Sequence, residues 1–415
     1  MQPTLRFRPL RPVVASDAAT ELDLLITITP PAAAADPLRQ SQSLNLALAI
    51  DRSGSMSGSK LSYARKAARH LASRLGRHDR LAIVVFDDDT DVLMPSSPVH
   101  HPDPFIRAIN TIHSHGCTNL HDGWIGAARQ VAQHLDNRSL NRVLLLSDGH
   151  ANRGLLNTAE IADQVAGLAE RGVSTSAFGL GNGFDEDLMG SIAEGGQGTL
   201  AFIESPQDLP RLFDDELKGL NRTVGSQVRL QLEPAVGVEI VDVLNDLQRD
   251  SAGALKLPAL CSGRPVDVAV RLRLPAWSDN TPLLQATLRW QRSGDGAAAT
   301  EQIRDSLRLP AVPQLQQMQA EEDGAVAEQF AMMQSTRARQ LAIDCLDRDD
   351  WHEAHRSLDN MERELKAMPM SPEILSELES IAQRKREISH RDRNRSRKAL
   401  RSDSYRSRAD VWNRH

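Results

Sequence analysis

One stretch of the chain, from about residue 44 to residue 221, alternates almost continuous apolar runs with segments of helical periodicity. The apolar runs include LNLALAID at 44–51, RLAIVVF at 80–86, NRVLLLS at 141–147 and VSTSAFGLG at 173–181. Strands that are apolar on both faces and are joined by helices form a mostly parallel sheet covered on both sides. The pattern therefore predicts an α/β doubly wound domain over residues 43–221.

The sequences on either side of this domain show the two-residue periodicity of strands. Leu24, Ile26 and Ile28 lie on one face of a strand-like segment within residues 1–42, and five segments with two-residue periodicity lie between residues 222 and 312. Such segments, separated by Gly, Pro and Asp turns, are typical of antiparallel sheets. We expect an antiparallel β-sandwich at 222–312 that the strands of residues 1–42 join, with the α/β domain inserted between its strands.

The C-terminal quarter changes to helical periodicity. Residues 313–390 contain three amphipathic segments, the first running from Gln319 to Leu346, without a clear 34-residue repeat. The tail at residues 391–415 is basic, and its stretch Arg391–Arg408 is rich in Arg and Ser with almost no apolar side chains. A segment of this composition cannot bury a core, so we expect a basic disordered tail there.

Composition limits the classes of function. The chain has 49 Lys and Arg against 55 Asp and Glu, and this mild acidity argues against nucleic acid or an anionic membrane as the main partner. Its three cysteines are far apart and lack CxxC spacing, as in a reducing compartment. There is no apolar signal-peptide core and no apolar run of about 18 residues. We therefore expect a cytoplasmic protein that does not enter a membrane.

A D-x-S-x-S pattern directly follows the first strand of the α/β domain. It consists of Asp51, Ser53 and Ser55, with Gly54 and Gly58 permitting a sharp path of the backbone. Open α/β sheets bind ligands at the carboxyl ends of their strands. A spacing of two on a tight loop allows the three side-chain oxygen groups to converge there.

Two further oxygen donors follow later segments of the same domain. Thr118 lies in GCTNLHDG, and Asp148 ends the apolar strand in LLLSDGHAN. D-x-S-x-S, then a single Thr, then S-D-G after an apolar strand resembles the metal-ion-dependent adhesion site of von Willebrand factor A (VWA) domains. The resemblance covers about Leu44–Leu220 and includes the strand–helix order. The sequence is also similar to that of bacterial VWA proteins that carry extra β and helical segments.

The resemblance implies a metal-binding role for five residues. Ser53 and Ser55 would bind the ion through their hydroxyls, Thr118 would bind it directly in the ligand-bound arrangement, and Asp51 and Asp148 would act mostly through water. The expected ion is Mg²⁺, although Mn²⁺ and Ca²⁺ accept the same oxygen ligands. Neutral hydroxyl ligands leave the ion's charge poorly neutralised, so an Asp or Glu of a partner would bind strongly at the sixth position.

The function that this resemblance implies is a non-enzymatic, metal-dependent protein–protein interaction module that acts as an adaptor or scaffold. Bacterial proteins of this kind work beside AAA-type ATPases, or beside protein kinases and phosphatases, and the sequence does not choose between these partners.

Two other functions stay open. The basic tail could bind nucleic acid, and such binding would weaken steeply with salt and disappear when residues 391–415 are removed. A metal-dependent hydrolase would use the ion to activate water, with Asp148 or His121 as the general base.

Other features close to the site have simpler interpretations. The acidic run Asp87-Asp88-Asp89 with Asp91 lacks the Gly and the final Glu of a calcium-binding loop, so we interpret it as an exposed turn between two strands. Several histidines could bind zinc, but we favour ordinary surface-loop composition for the whole set, which is His100, His101, His113, His115, His121 and His150.

Overall fold

The computed structural model describes most of the chain. The described residues are 2–31, 43–136, 138–148, 151–181, 184–203, 205–278, 281–292 and 300–389, together with residues 396 and 400. The predicted disordered tail at 391–415 lies outside the described residues, apart from Ser396 and Leu400.

The described residues form strands along most of the first three quarters of the chain. These are β1 (Thr4–Pro9), β2 (Val14–Ala15), β3 (Thr20–Thr29), β4 (Leu44–Asp51), β5 (Arg80–Phe86), β6 (Thr90–Pro98), β7 (Leu140–Ser147), β8 (Val173–Leu180), β9 (Gln197–Ile203), β10 (Thr223–Pro234), β11 (Glu239–Val243), β12 (Leu255–Lys256), β13 (Leu260–Cys261), β14 (Val266–Leu274), β15 (Leu284–Arg292), β16 (Thr300–Leu307) and β17 (Ala311–Val312).

Helices lie between the strands of the central region and continue beyond the last strand. They are α1 (Ser59–Arg74), α2 (Asp103–Asn110), α3 (Leu120–Ala132), α4 (Thr158–Glu170), α5 (Glu186–Gly195), α6 (Leu209–Asn221), α7 (Gln314–Gln319), α8 (Gly324–Asp347), α9 (Trp351–Lys366) and α10 (Pro372–Ser389). No helix of the described residues has the length and hydrophobicity that a membrane span requires.

The central unit, Ala34–Gln227 with Gln291–Thr300, contains a six-stranded sheet. Its strand order is β6-β5-β4-β7-β8-β9, and each pair is parallel except β5 with the edge strand β6. Strand β4 is buried on both faces: Leu48 belongs to a core cluster with Leu71 of α1, and Ala49 belongs to a second cluster with Trp124 of α3. Helices therefore cover both sides of the sheet, which confirms the predicted α/β class.

The other unit joins Met1–Ala33, Val228–Trp290 and Glu301–His415. It contains one sheet of order β1-β3-β14-β11 and a second of order β12-β10-β15-β16, in which β13 pairs with β10. Antiparallel pairing of β3 with β14 places strands from before and after the α/β unit in one sheet. This agrees with the expected antiparallel sheets; the boundaries at residues 42, 221, 312 and 390 stay predictions.

The C-terminal residues form helices as expected, but the first long helix begins later than its sequence pattern suggested. Helix α7 ends at Gln319, and α8 begins only at Gly324. Asp323 terminates the intervening loop because its side chain accepts hydrogen bonds from the backbone N–H groups of Ala325 and Val326. These N-cap hydrogen bonds satisfy two of the backbone donors that the first turn of α8 leaves free.

Candidate metal-binding site

The D-x-S-x-S residues lie where two neighbouring parallel strands end. Asp51 is the last residue of β4, and Asp148 directly follows β7, which pairs with β4. The chain then turns through a short 3₁₀ segment at Gly54–Met56 before α1. Of the two glycines expected to permit this path, Gly58 has a positive φ of 76°.

Four of the five predicted ligands are connected by hydrogen bonds. The Oγ atoms of Ser53 and Ser55 are 3.0 Å apart, and Ser55 Oγ donates to Asp148 Oδ1 at 2.7 Å. Asp51 Oδ1 accepts from the backbone N–H of Ser53 at 2.8 Å. Two hydroxyls and two carboxylates therefore converge at the carboxyl ends of β4 and β7.

The fifth predicted ligand, Thr118, lies on the adjacent loop before α3. The N–H of Gly54 donates to the carbonyl of Gly116 at 3.1 Å, so the backbones of the two loops are joined directly. Asn152 Oδ1 accepts from the Thr118 N–H at 2.9 Å and fixes this loop from its other side. Thr118 is almost completely buried.

Burial makes the charge on Asp51 costly. Its side chain is inaccessible to solvent, and this desolvation raises its pKa to about 6, although hydrogen bonds from Ser147 and Ser53 oppose the shift and the nearby Asp148 carboxylate adds to it. A divalent cation would stabilise the charged form of both carboxylates. The donor set, two acidic side chains with clustered hydroxyls, fits a hard cation such as Mg²⁺.

One functional candidate was missed by the sequence analysis. Lys60, in the first turn of α1, donates a short hydrogen bond to Asp148 Oδ2. Its side chain is 32% exposed, whereas that of Asp148 is fully buried. A lysine near the start of an amphipathic helix carries no sequence signal that separates it from a solvated surface lysine.

The interpretation of the acidic run as an exposed turn is wrong for Asp87. Its side chain is fully buried and accepts from Arg52 Nε at 2.5 Å, with His115 Nδ1 at 3.1 Å. Burial raises the pKa of Asp87, but the Asp89 backbone N–H and the Arg52 guanidinium outweigh that effect and hold the pKa below its usual value. Asp87 thus anchors Arg52, the residue between the first two predicted ligands.

The structure gives the positions of some residues on which the zinc-binding and hydrolase alternatives depend. Within the described part of the chain, no group of three or more His, Cys, Asp or Glu side chains is arranged to hold a metal ion. His150 lies outside the described residues. His121, the suggested general base, has Nε2 at 2.9 Å from Gln164 Oε1 and Nδ1 at 3.4 Å from Asp122 Oδ1.

Comparison with known sequences relates the central unit to a known domain family. The family described as "von Willebrand factor type A domain" matches residues 45–215. YfbK, an uncharacterised protein of Escherichia coli (strain K12), is 31% identical over 200 residues, which are 47% of this chain and 35% of that protein. The chain spans about a third to a half of the length of the bacterial relatives that it matches.

Comparison with solved structures shows that the fold is shared well beyond the central unit. A von Willebrand factor type A protein from Catenulispora acidiphila superimposes with a TM-score of 0.66 at 16% identity, over 88% of each chain. The ArnB paralog VWA2 from Sulfolobus acidocaldarius has a TM-score of 0.61 at 15% identity, over 97% of this chain and 98% of its own. The flanking sheets and helices therefore belong to an architecture found in other proteins.

Proposed function

We propose that the chain is a non-enzymatic adaptor that binds a protein partner through a divalent metal ion. The premise is that residues 45–215 match the von Willebrand factor type A (VWA) domain family, with similarity to bacterial proteins. The observation that carries the proposal is the convergence of Ser53, Ser55 and Asp148, whose side-chain oxygens contact each other at the carboxyl ends of β4 and β7.

The chemistry of the site favours a partner that presents a carboxylate. Ser53, Ser55 and Thr118 would offer neutral oxygens to the ion, while Asp51 and Asp148 would hold its remaining water ligands. Mg²⁺ is the ion we propose, because it keeps several waters and accepts oxygen ligands. An Asp or Glu of the partner would complete the coordination and bring the negative charge that the hydroxyls do not supply.

The resemblance to bacterial VWA proteins supports an AAA-type ATPase, or a protein kinase or phosphatase, as the class of partner. We also propose that the interaction takes place in the cytoplasm. All three cysteines are free thiols in the structure, as expected in a reducing compartment.

The test compares two serine variants of the same loop. Ser53→Ala combined with Ser55→Ala removes two proposed ligands, whereas Ser57→Ala changes an exposed serine just beyond them. We expect the double variant to lose Mg²⁺ binding in calorimetry and to lose the Mg²⁺-dependent rise in melting temperature. Ser57→Ala should keep both. Capture of a partner from lysate should require Mg²⁺ and follow the same pattern.

Equal Mg²⁺ binding by the double variant and the wild type would contradict the proposed ligand set. Partner capture that persists in EDTA and in the double variant would show that the partner binds without the metal ion. If removal of residues 391–415 abolished capture instead, the basic tail would be the binding segment.

A further inference from the structure

We propose that Lys60 is a built-in competitor of the metal ion: its ammonium group holds Asp148 when no ion is bound, and its charge lowers the affinity of the site for the ion. This inference rests on the proposed function in one respect, since it requires the ion to bind beside Asp148.

The two carboxylate oxygens of Asp148 have different partners. Oδ1 accepts from Ser55, a proposed metal ligand, while Oδ2 accepts from Lys60 Nζ. Because the Asp148 side chain is fully buried, its negative charge needs compensation from within the protein. Lys60 supplies that compensation without an ion.

The fold leaves a place for this lysine beside the site. Gly181 follows β8 with a φ of 70°, and a Cβ atom built on it would lie 3.7 Å from Lys60 Cε and 4.0 Å from Nζ. The Lys60 stem therefore passes close to a backbone that has no side chain at this point. Strands β7 and β8 are parallel neighbours in the sheet, so Asp148 and Gly181, which directly follow them, lie at the same end of the strands.

The charges give Lys60 opposite effects in the two states of the site. With Asp51 and Asp148 ionised, the two carboxylates alone would balance a divalent ion, and the ammonium group adds a positive charge that repels it. At a separation of a few ångströms, Coulomb repulsion of this kind corresponds to about a tenfold loss of affinity for the ion. The loaded site then keeps a net positive charge that attracts the carboxylate of a partner.

A purely structural lysine would not behave in this way. Removing a structural ion pair lowers stability and, if it disturbs the site, weakens metal binding as well. Removing a competitor lowers the stability of the metal-free protein but strengthens metal binding. The two readouts therefore move in opposite directions only if Lys60 competes with the ion.

The experiment uses Lys60→Met in the full chain, with Mn²⁺ as the probe and electron paramagnetic resonance to measure free Mn²⁺. We expect the Kd for Mn²⁺ to fall about tenfold, while the melting temperature without metal decreases. The matched control is Lys66→Met, which removes an exposed lysine from the same helix and should change neither value. Lys60→Arg keeps the charge and should keep the wild-type Kd.

Lys60→Gln is a second variant in case Lys60→Met does not fold, and it should tighten Mn²⁺ binding in the same direction. An unchanged or higher Kd in the folded neutral variant, with normal binding by the wild type, would overturn the role of Lys60 and leave the proposed function standing. Failure of the wild type itself to bind Mn²⁺ would overturn both.

Discussion

At the scale of single residues, the helix that follows the Thr118 loop depends on a close approach at Gly123. An ideal Cβ atom on Gly123 would lie 2.3 Å from both Cγ and Cδ1 of Phe86, a fully buried residue at the end of β5. Glycine inside a helix costs about 1 kcal/mol relative to alanine. Because Gly123 has no side chain, α3 can lie directly against the sheet at this point.

Gly123→Ala should lower the free energy of unfolding by about 1–3 kcal/mol, because the added methyl group has to displace the Phe86 ring in a packed core. Urea unfolding of the full chain measures this. Gly219→Ala is the matched control: it is also helical, but apart from its chain neighbours and its own helix backbone nothing lies within 4 Å of an added Cβ. The control should be neutral or stabilising by up to about 1 kcal/mol. Equal stability of the two variants would show that α3 can shift at little cost.

Sequence reasoning could anticipate the contacts among Ser53, Ser55 and Asp148, because carboxyl ends of adjacent parallel strands meet at one edge. It could not anticipate Lys60. That contact depends on where the first turn of α1 lies relative to the end of β7, which the sequence pattern does not give. Nor could the pattern show that Asp87 turns inward, because its burial depends on Arg52.

At the scale of elements, α6 is fixed to the sheet by a buried ionic network. Glu216 Oε1 accepts from Arg142 Nη1 at 2.7 Å and from Ser176 Oγ at 2.7 Å, and Glu216 Oε2 accepts from Thr199 Oγ1 at 2.8 Å. Burial raises the pKa of Glu216, but the charge of Arg142 and these hydrogen bonds outweigh that effect, so the pKa lies below its usual value. One helix is thereby connected to β7, β8 and β9.

Glu216→Gln should cost about 3–5 kcal/mol of stability, since it leaves the largely buried Arg142 guanidinium without its counter-ion. The folded-state pKa is the lower one, so this carboxylate stabilises the wild type above the unfolded-state pKa, and the contribution is lost as the pH falls through the folded-state pKa. Urea unfolding across the acidic range should show a shallower pH dependence in Glu216→Gln.

The control for this network is Asp215→Asn, which changes the neighbouring residue. Asp215 is 49% exposed and pairs with Arg211 and Lys218 on the helix surface. Exposed pairs of this kind contribute at most about 1 kcal/mol. Losses of equal size in the two variants would mean that the buried network does not stabilise the position of α6.

Helices and strands could be predicted from the sequence where they are long and their apolar residues recur with a clear period. The strands of the parallel sheet could be placed because each is a nearly continuous apolar run, and β3 and β14 because their apolar residues alternate. Strands of two residues, such as β12 at Leu255–Lys256, are too short to show any period. The start of α8 was misplaced because the helical pattern continued across the loop that Asp323 terminates.

At the scale of the whole molecule, strand β3 is an interior strand of its sheet, between β1 and β14. Its residues Leu24, Ile26 and Ile28 are fully buried. The similar alternation in residues 1–42 and 222–312 made this association foreseeable. The register could not be foreseen, because nothing in the sequence couples Thr27 to Asp267, which the structure pairs.

Removing residues 2–42 should unfold the sheet that contains β14 while the α/β unit keeps its own core. Loss of β3 leaves one edge of β14 without hydrogen-bond partners and exposes the apolar side chains of β14 that pack beside β3. Hydrogen exchange should show loss of protection at residues 266–274 and retained protection at residues 44–51. Full protection of 266–274 in the shortened chain would show that β3 is dispensable.

The pairing of β3 with β14 also has a consequence for how the chain is made. Thr27 and Asp267, whose side chains share a hydrogen bond in this sheet, are 240 residues apart. A ribosome that adds about 5–20 residues per second needs roughly 10–50 seconds to cover that distance. During this interval the strands of the α/β unit are all synthesised, whereas β14, which pairs with β3, is not yet available. The nascent chain thus carries an apolar strand with one unpaired edge throughout this interval, and we expect it to be open to aggregation or to capture by a chaperone at that stage.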